Sequence, residues 1–312
     1  MKILIAVPVF NEERYVVSVM REIRKYARAA GVALGAEMRV LVVDDGSTDG
    51  PAALLEEMAG RGQIKVLTHP ENRGYGQSLI DAFGFAGREE FDWVITMDCD
   101  EQHEPCRIPL FVRQCVEARV AGAGVPDIIS GTRYLRYGQV EFRQTQGLQS
   151  LGLGEGSAAA VDEGVPPTDR RNINRFVTDL LNSTLQLNVL PPASGCPEGD
   201  ADRAAAMGAP LGLTDAFCGF KAHRVATLGR MQLTIPGYAF PMQFWVQAAA
   251  LGLVIRELPV KLIYKDATRH FGGILDDPNV RLQHYLEVLT AEIRATGVEL
   301  EPAGCGAECG WE

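Results

Sequence analysis

The chain has 312 residues, of which 46% are hydrophobic and 22% are charged, with a formal net charge of -10 and a pI near 5.1. This length and hydrophobic content are enough to bury a large core. The negative charge argues against a general nucleic-acid binder and against electrostatic attachment to anionic lipid, so small-molecule partners are expected.

Hydropathy and cysteine usage indicate the cellular compartment of the protein. No apolar run reaches the roughly 18 residues of a membrane span, and the longest candidate is 248–255. The seven cysteines are scattered without a Cys-x-x-Cys pair, which favours a reducing compartment over a disulfide framework. We therefore expect a cytoplasmic protein without a transmembrane segment.

The first half of the chain alternates apolar strands with helices. Strands are predicted at 2–7, 39–43, 64–67 and 93–97, and helices at 12–30, 52–58 and 77–86. Asn11 is the predicted N-cap of the first helix. Such alternation predicts an α/β fold with a mostly parallel sheet, helices on both faces, and ligands beyond the carboxyl ends of the strands.

The second half is less regular. Strands are predicted at 127–130 and 254–258, and helices at about 173–185, 238–250 and 282–293. Residues 215–224 are predicted to be a short segment that enters another helix. Gly, Ala, Ser and Pro dominate 138–168 and 191–211, which predicts two flexible insertions, and the chain is expected to fray over 297–312.

Polar turns follow three of the predicted parallel strands, at 8–12, 44–47 and 98–102. Alternate residues of an extended segment point the same way, so Asp98, Asp100 and Gln102 can face one point, whereas Cys99 and Glu101 face elsewhere. Two carboxylates and an amide oxygen suit Mg²⁺ or Mn²⁺ and leave positions open for substrate phosphates. A polar turn without a metal is the alternative.

Together the three turns resemble the family 2 glycosyltransferases, inverting enzymes with the Rossmann-like nucleotide-sugar-binding fold called GT-A. Within that family the chain is most similar to the polyprenyl-phosphate mannosyl- and glucosyltransferases of the dolichol-phosphate mannose synthase type. The likeness covers about 1–134, 170–187 and 215–271. It implies a single domain over 1–296, with a donor half at about 1–134 and an acceptor half at about 169–296.

The resemblance also implies roles for matching residues. Asp98, Asp100 and Gln102 would hold Mg²⁺ or Mn²⁺ against the diphosphate of a nucleotide-sugar, of the GDP-mannose or UDP-glucose type. Asp45 would accept hydrogen bonds from the base. The other positions implied for the nucleotide pocket are Pro8, Phe10, Glu12, Val43, Arg73 and Cys99. Arg133, Arg170 and Arg171 match arginines near the acceptor phosphate, and Arg269 matches a residue that closes over the donor.

Three functional alternatives follow. The first is transfer of a hexose to a polyprenyl phosphate, which would bring the protein into peripheral contact with the inner face of a membrane. The second is transfer to a soluble hydroxyl acceptor, for which Asp215 is the candidate general base. The third is a nucleotide-sugar-binding module without turnover. A nicotinamide oxidoreductase is excluded, because the first turn lacks Gly-x-Gly-x-x-Gly.

Overall fold

The computed structural model describes residues 1–120, 125–134, 167–190, 212–264 and 271–298. The strands in these ranges are β1 (Lys2–Val9), β2 (Glu37–Asp44), β3 (Lys65–Thr68), β4 (Trp93–Thr96), β5 (Ile128–Thr132), β6 (Asn188–Leu190), β7 (Lys221–Arg224) and β8 (Val254–Pro259). The α-helices are α1 (Glu13–Leu34), α2 (Pro51–Gly60), α3 (Tyr75–Arg88), α4 (Ile108–Val120), α5 (Thr168–Thr184), α6 (Val225–Leu228), α7 (Phe240–Ala250) and α8 (Pro278–Thr296). Short 3₁₀ turns occupy Pro105–Arg107 and Gly273–Asp276.

The strands form one sheet in the order β3-β2-β1-β4-β7-β5-β8-β6. All neighbours are parallel except β7, which runs antiparallel to both β4 and β5. The carboxyl ends of β1, β2 and β4 therefore meet at one edge, with Val9 opposite Asp44 in the β1–β2 register. In open α/β sheets this edge carries the ligands.

Hydrophobic cores cover both faces of the sheet. Ile3 and Ile5 of β1 join a buried cluster with α1 and α4, whereas Leu4 and Ala6 join a second cluster with α3, α5, α7 and α8. Because successive strand residues face opposite sides, a strand buried on both faces must be apolar throughout. The uninterrupted apolar sequences of β1 and β4 meet that requirement, and the predicted doubly covered sheet is confirmed.

Two local predictions differ from the structure. Residues 221–224, expected to lead into a helix, form β7, since two strand neighbours satisfy its backbone although its side chains are largely polar. Asn11 does not cap α1, which starts after Glu12 without a side-chain cap. Instead Asn11 has a positive φ of 56°, and its Oδ1 accepts the Thr48 N–H at 2.8 Å. It thereby joins the turn after β1 to the turn after β2.

Most of the predicted irregular segments, 138–168, 191–211 and 297–312, lie outside the described residues. The single-domain boundary at 296 and the division into two halves stay predictions. In the ranges that the structure describes, every helix is too short or too polar to cross a membrane.

Candidate active site

Asp98 lies one residue beyond the buried Met97, where the chain leaves β4. Its side chain is 29% exposed, and its Oδ1 accepts a hydrogen bond from the Tyr75 hydroxyl at 3.1 Å. Its backbone N–H donates to His103 Nδ1 at 3.1 Å. Gly219 lies against the carboxylate, because a Cβ at this glycine would fall 2.5 Å from Asp98 Oδ2. Residues from three separate segments therefore surround Asp98.

The side chains of the turn after Asp98 differ in burial. Cys99 is buried in the core below the sheet edge, so any contact with a donor would involve its backbone. Asp100 and Gln102 are partly exposed, and Asp100 Oδ1 accepts the Gln102 N–H at 3.0 Å. Glu101 completes the turn with a φ of 59°.

The donor set of this turn fits a hard divalent cation. Asp98 and Asp100 supply carboxylate oxygens, Gln102 an amide oxygen, and Gly219 leaves space that any larger residue would fill. The described ranges contain no group of three or more His, Cys, Asp or Glu side chains that could hold a metal ion. The candidate set has only two such residues, together with the Gln102 amide. Mg²⁺ is commonly bound through one or two carboxylates and completed by substrate phosphates, and this turn can offer such a site.

Asp45, at the end of β2, is buried and fully engaged with its own chain. Its Oδ1 accepts from His69 Nδ1 at 2.6 Å and from the Arg73 N–H at 2.9 Å, and its Oδ2 accepts the Gly74 N–H at 2.8 Å. His69 Nε2 in turn lies 3.0 Å from Asp81 Oδ2, at an angle that makes no hydrogen bond. The carboxylate expected to meet the base thus fixes the segment between β3 and α3.

The other residues predicted for the nucleotide pocket differ in exposure. Pro8 is paired with Val43 across β1 and β2, one register step before the Val9–Asp44 pair. Phe10 is 43% exposed beyond β1, whereas Glu12 is buried at the start of α1. The Arg73 guanidinium is about half exposed and lies 3.3 Å from Asp81. These residues lie at the ends of β1 and β2 or on the segments that follow β1 and β3.

Arg133 and Asp215 form a closed pair beyond the end of β5. Arg133 Nε and Nη2 donate to Asp215 Oδ2 and Oδ1 at 2.7 and 2.9 Å. Asp215 also accepts from the backbone N–H groups of Arg133 and Phe217 and from Asn174 Nδ2 at 2.9 Å. The side chain is 0% exposed. Burial opposes its ionisation, but the Arg133 charge and these hydrogen bonds outweigh it, so the pKa of Asp215 is lowered.

Two further charged residues, not identified from the sequence, support this pair. Glu257 of β8 is buried and accepts the Thr214 N–H at 2.9 Å, and burial raises its pKa to about 7. Lys221 of β7 is buried against the Trp245 ring, and its Nζ donates to the Cys218 carbonyl. Burial lowers the pKa of Lys221.

The turn at 98–102 and the Arg133–Asp215 pair belong to one group of charged and polar side chains, which we call the polar centre. His103 is buried, and burial lowers its pKa to about 4. Asp100, Arg133, Lys221 and Asp215 lie close enough to perturb the same pKa, the acids raising it and the bases lowering it. Carboxylates and cations are therefore collected at one point of the edge.

The three other arginines predicted for the site differ in their surroundings. Arg170, in the first turn of α5, lies over the rings of Tyr264 and Phe271 at 5.5 and 4.5 Å. Arg171 is exposed, and it lies close enough to Tyr134 that it opposes the burial-driven rise in the pKa of Tyr134, as Arg133 does. Arg269 lies outside the described residues.

Sequence reasoning missed Tyr75, His69, Lys221 and Glu257 as members of the site. Their signals were weak, because an isolated Tyr, His, Lys or Glu beside apolar neighbours is common in any core. Each acquires a role through contacts between residues far apart in the chain, such as the pairing of Glu257 with Thr214 across 43 positions. His103, which the sequence alone also did not single out, is buried beside Asp98.

Comparisons with known proteins agree with this geometry. A family model described as glycosyl transferase family 2 matches residues 4–160, half of the chain. Two undecaprenyl-phosphate 4-deoxy-4-formamido-L-arabinose transferases are similar. The protein from Pseudomonas aeruginosa strain LESB58 is 35% identical over 36% of this chain and 32% of its own length. The protein from Klebsiella pneumoniae is 31% identical over 46% of this chain and 40% of its own length. The matches thus span less than half of these relatives.

Solved structures extend the likeness of fold to nearly the whole chain. Glucosyl-3-phosphoglycerate synthase from Mycobacterium tuberculosis, crystallised with Mg²⁺ and UDP, superposes with a TM-score of 0.52 at 16% identity, covering 95% of this chain and 80% of that one. Another mycobacterial protein gives a TM-score of 0.55 at 17% identity, covering 95% and 75%. At such identities the agreement concerns the fold, which is GT-A. Since the family model spans half of the chain and includes the turns after β1, β2 and β4, the chain belongs to the family 2 glycosyltransferases.

Proposed function

We propose that this protein is a metal-dependent inverting glycosyltransferase that moves a sugar from a nucleotide-sugar to a polyprenyl phosphate. The donor assignment is supported by the oxygen ligands beyond β4 and by the turns after β1 and β2 beside them. The acceptor assignment is supported by the arginines of the polar centre. The printed names of the curated relatives, which specify undecaprenyl phosphate, favour the same acceptor class.

At the donor end, Asp98, Asp100 and Gln102 would hold Mg²⁺ or Mn²⁺. When bound, the cation neutralises the charge that develops on the departing nucleoside diphosphate. Pro8, Phe10, Glu12, Val43, Asp45, Arg73 and Cys99 contribute the walls of the nucleotide pocket. Among these, Asp45 acts by fixing the backbone of Arg73 and Gly74, since its oxygens accept from that segment.

The single observation that carries the acceptor assignment is the closed Arg133–Asp215 pair. A general base must contact the proton that it removes. Asp215 is 0% exposed, accepts hydrogen bonds from three residues and has a lowered pKa, so it is poorly suited to deprotonate a hydroxyl. A phosphate is already anionic and needs no base. Asp215 then serves to orient Arg133, with Arg170 and Arg171 as further cations of α5.

This argument weakens the alternative of a soluble hydroxyl acceptor, which depended on Asp215 as base. The non-catalytic alternative is separated from an enzyme by turnover, because a binding module would not transfer or hydrolyse the donor. Since a polyprenyl phosphate is a membrane lipid, the proposal implies peripheral contact with the cytoplasmic face of a membrane.

The test is a transfer assay with purified protein and labelled donors. UDP-glucose, GDP-mannose and a UDP-pentose are each supplied with Mn²⁺ and with a short-chain polyprenyl phosphate, the matching polyprenol, or a panel of soluble hydroxyl acceptors. We expect transfer to the phosphate and none to the polyprenol, which lacks only the anionic group. Transfer to hydroxyl acceptors without transfer to the phosphate would overturn the acceptor assignment, and no transfer from any donor would overturn the activity.

A further inference from the structure

The Asp98 carboxylate is confined by groups that are not candidate metal ligands. The Tyr75 hydroxyl is 3.1 Å from Oδ1, His103 Nε2 is 3.8 Å from Oδ2, and Gly219 closes a third side. Tyr75 begins α3, His103 follows the turn after β4, and Gly219 precedes β7. The orientation of a single side chain therefore depends on three elements.

The tautomer of His103 follows from its contacts. Its Nδ1 accepts the Asp98 N–H at 3.1 Å and so carries no proton of its own. The ring is then neutral with its proton on Nε2, the atom near Asp98 Oδ2. Nε2–H has no lone pair for a metal, and at 3.8 Å it is beyond hydrogen-bond distance of Asp98 Oδ2. His103 therefore fixes Asp98 through the backbone N–H that its Nδ1 accepts, without being a ligand itself. The ring is held 5.6 Å from that of Phe220.

Tyr75 is fixed just as firmly. A carboxylate only accepts, so the Tyr75 hydroxyl is the donor of its bond to Asp98. Its ring stacks on Tyr238 with centroids 6.0 Å apart and planes 13° apart. Immediately before it, Gly74 has a φ of 100°, and a side chain there would collide with the Pro236 carbonyl. The backbone at the start of α3 therefore fits tightly against the segment that contains Pro236 and Tyr238.

We propose that Tyr75 and His103 are positioning residues for Asp98, which hold its carboxylate in the orientation that receives the divalent cation. The inference rests on the proposed function, since it assumes that Asp98 is a ligand. Groups that orient a metal ligand typically change metal affinity by about 10- to 100-fold when removed. Tyr75 and His103 would act through Asp98 and would not touch the sugar or the acceptor.

The test measures Mn²⁺ binding without turnover, from the signal of free Mn²⁺ in electron paramagnetic resonance, in the presence of UDP and in parallel of GDP. Tyr75→Phe removes only the hydroxyl and is expected to weaken Mn²⁺ binding about 10- to 100-fold. The matched control is Tyr238→Phe, which alters the other ring of the same stack and is expected to bind Mn²⁺ within twofold of the unaltered protein. Asp100→Ala is measured alongside to test the site itself.

Two further variants keep the inference testable if Tyr75→Phe folds poorly, as judged by circular dichroism. His103→Gln removes the ring, and Gly219→Ala places a methyl group against Asp98 Oδ2; each should weaken Mn²⁺ binding while preserving the fold. If Asp100→Ala loses binding but the folded Tyr75, His103 and Gly219 variants retain it within twofold, the positioning role is overturned. If Asp100→Ala also binds normally, the metal site of the proposed function fails instead.

Discussion

At the scale of single residues, neighbouring acids of this site perform different tasks. Asp98 and Asp100 are partly exposed at the sheet edge, where a hydrated cation can reach them. Asp45 and Asp215 are buried and engaged by protein donors. In the sequence all four residues are simply aspartates. Their burial in the structure distinguishes the candidate ligands Asp98 and Asp100 from Asp45, which fixes backbone, and Asp215, which orients Arg133.

Replacing Asp100 with Ala removes one anionic oxygen donor of the candidate metal site and the acceptor for the Gln102 N–H. We expect kcat/KM for glycosyl transfer to fall on the order of a hundredfold or more. Glu101→Gln, which neutralises the adjacent acid of the same turn, is the control and should retain most activity. Equal activity of Asp100→Ala and the unaltered protein, measured over a Mn²⁺ titration, would contradict the metal assignment.

The Arg133–Asp215 pair makes a prediction about stability. Arg133→Met leaves Asp215 buried without its cation and should lower the free energy of unfolding by about 3–5 kcal/mol. Adding Asp215→Asn removes the uncompensated charge while Asn174 and the Phe217 N–H still have a partner, so the double variant should recover part of the loss. Urea unfolding measures both. A double variant less stable than Arg133→Met would argue against the charge as the cause.

At the scale of secondary structure, the strands that were predicted best are those buried on both faces, because such burial requires apolar residues. β1 and β4 are apolar because helices cover both of their faces, and that pattern is legible without the structure. β7 was missed because Lys221 and Arg224 interrupt its pattern, and only its position between β4 and β5 makes it a strand. The acidic turn at 98–102 could be located from the sequence because its residues are adjacent, whereas the Tyr75 contact depends on the path of the chain.

Glu257 of β8 should make stability depend on pH. Its folded pKa of about 7 exceeds the ordinary 4.5, so between these values the folded state binds a proton that the unfolded state has released. This contribution to the free energy of unfolding is therefore largest below about pH 4.5 and decreases as pH rises towards 7, by at most about 1.4 kcal/mol per pH unit.

Glu257→Gln removes that titration and keeps an oxygen for the Thr214 N–H. Urea unfolding at pH 5, 6, 7 and 8 should show the variant gaining stability relative to the unaltered protein as pH rises to 7. The buried His103 and His223, whose lowered pKa values of about 4 and 3 give the opposite trend, are present in both proteins and cancel in the difference. A difference that does not change with pH would contradict the raised pKa.

At the scale of the whole molecule, the net charge is -10, yet cations lie among the acids where the anionic substrates would bind. Arg133 and Lys221 lie in the polar centre, and Arg171 lies close enough to Tyr134 to oppose the rise in its pKa. A molecule that repels anions in general can thus admit a diphosphate and a phosphate at one edge. The proposed single domain places both substrates on the same sheet.

Binding of donor should stabilise the whole fold. A nucleotide-sugar present at a hundredfold excess over its Kd, together with Mn²⁺, is expected to add about 2.7 kcal/mol to the free energy of unfolding. A thermal-shift series with UDP-, GDP- and dTDP-sugars would identify the base by the largest rise in Tm. The rise should vanish in chelator and in Asp100→Ala, and a rise that survives both would show binding without a metal.

The position of β7 has a consequence for synthesis of the chain. β4 and β5 are completed by residue 132, yet the strand that joins them begins at Lys221. Until that strand leaves the ribosome, the facing edges of β4 and β5 have unsatisfied backbone groups, which favour pairing with other chains. The central sheet must therefore close late, through contacts of large sequence separation that fold slowly. A fragment ending after β5 would contain the turn at 98–102 but would be prone to aggregate.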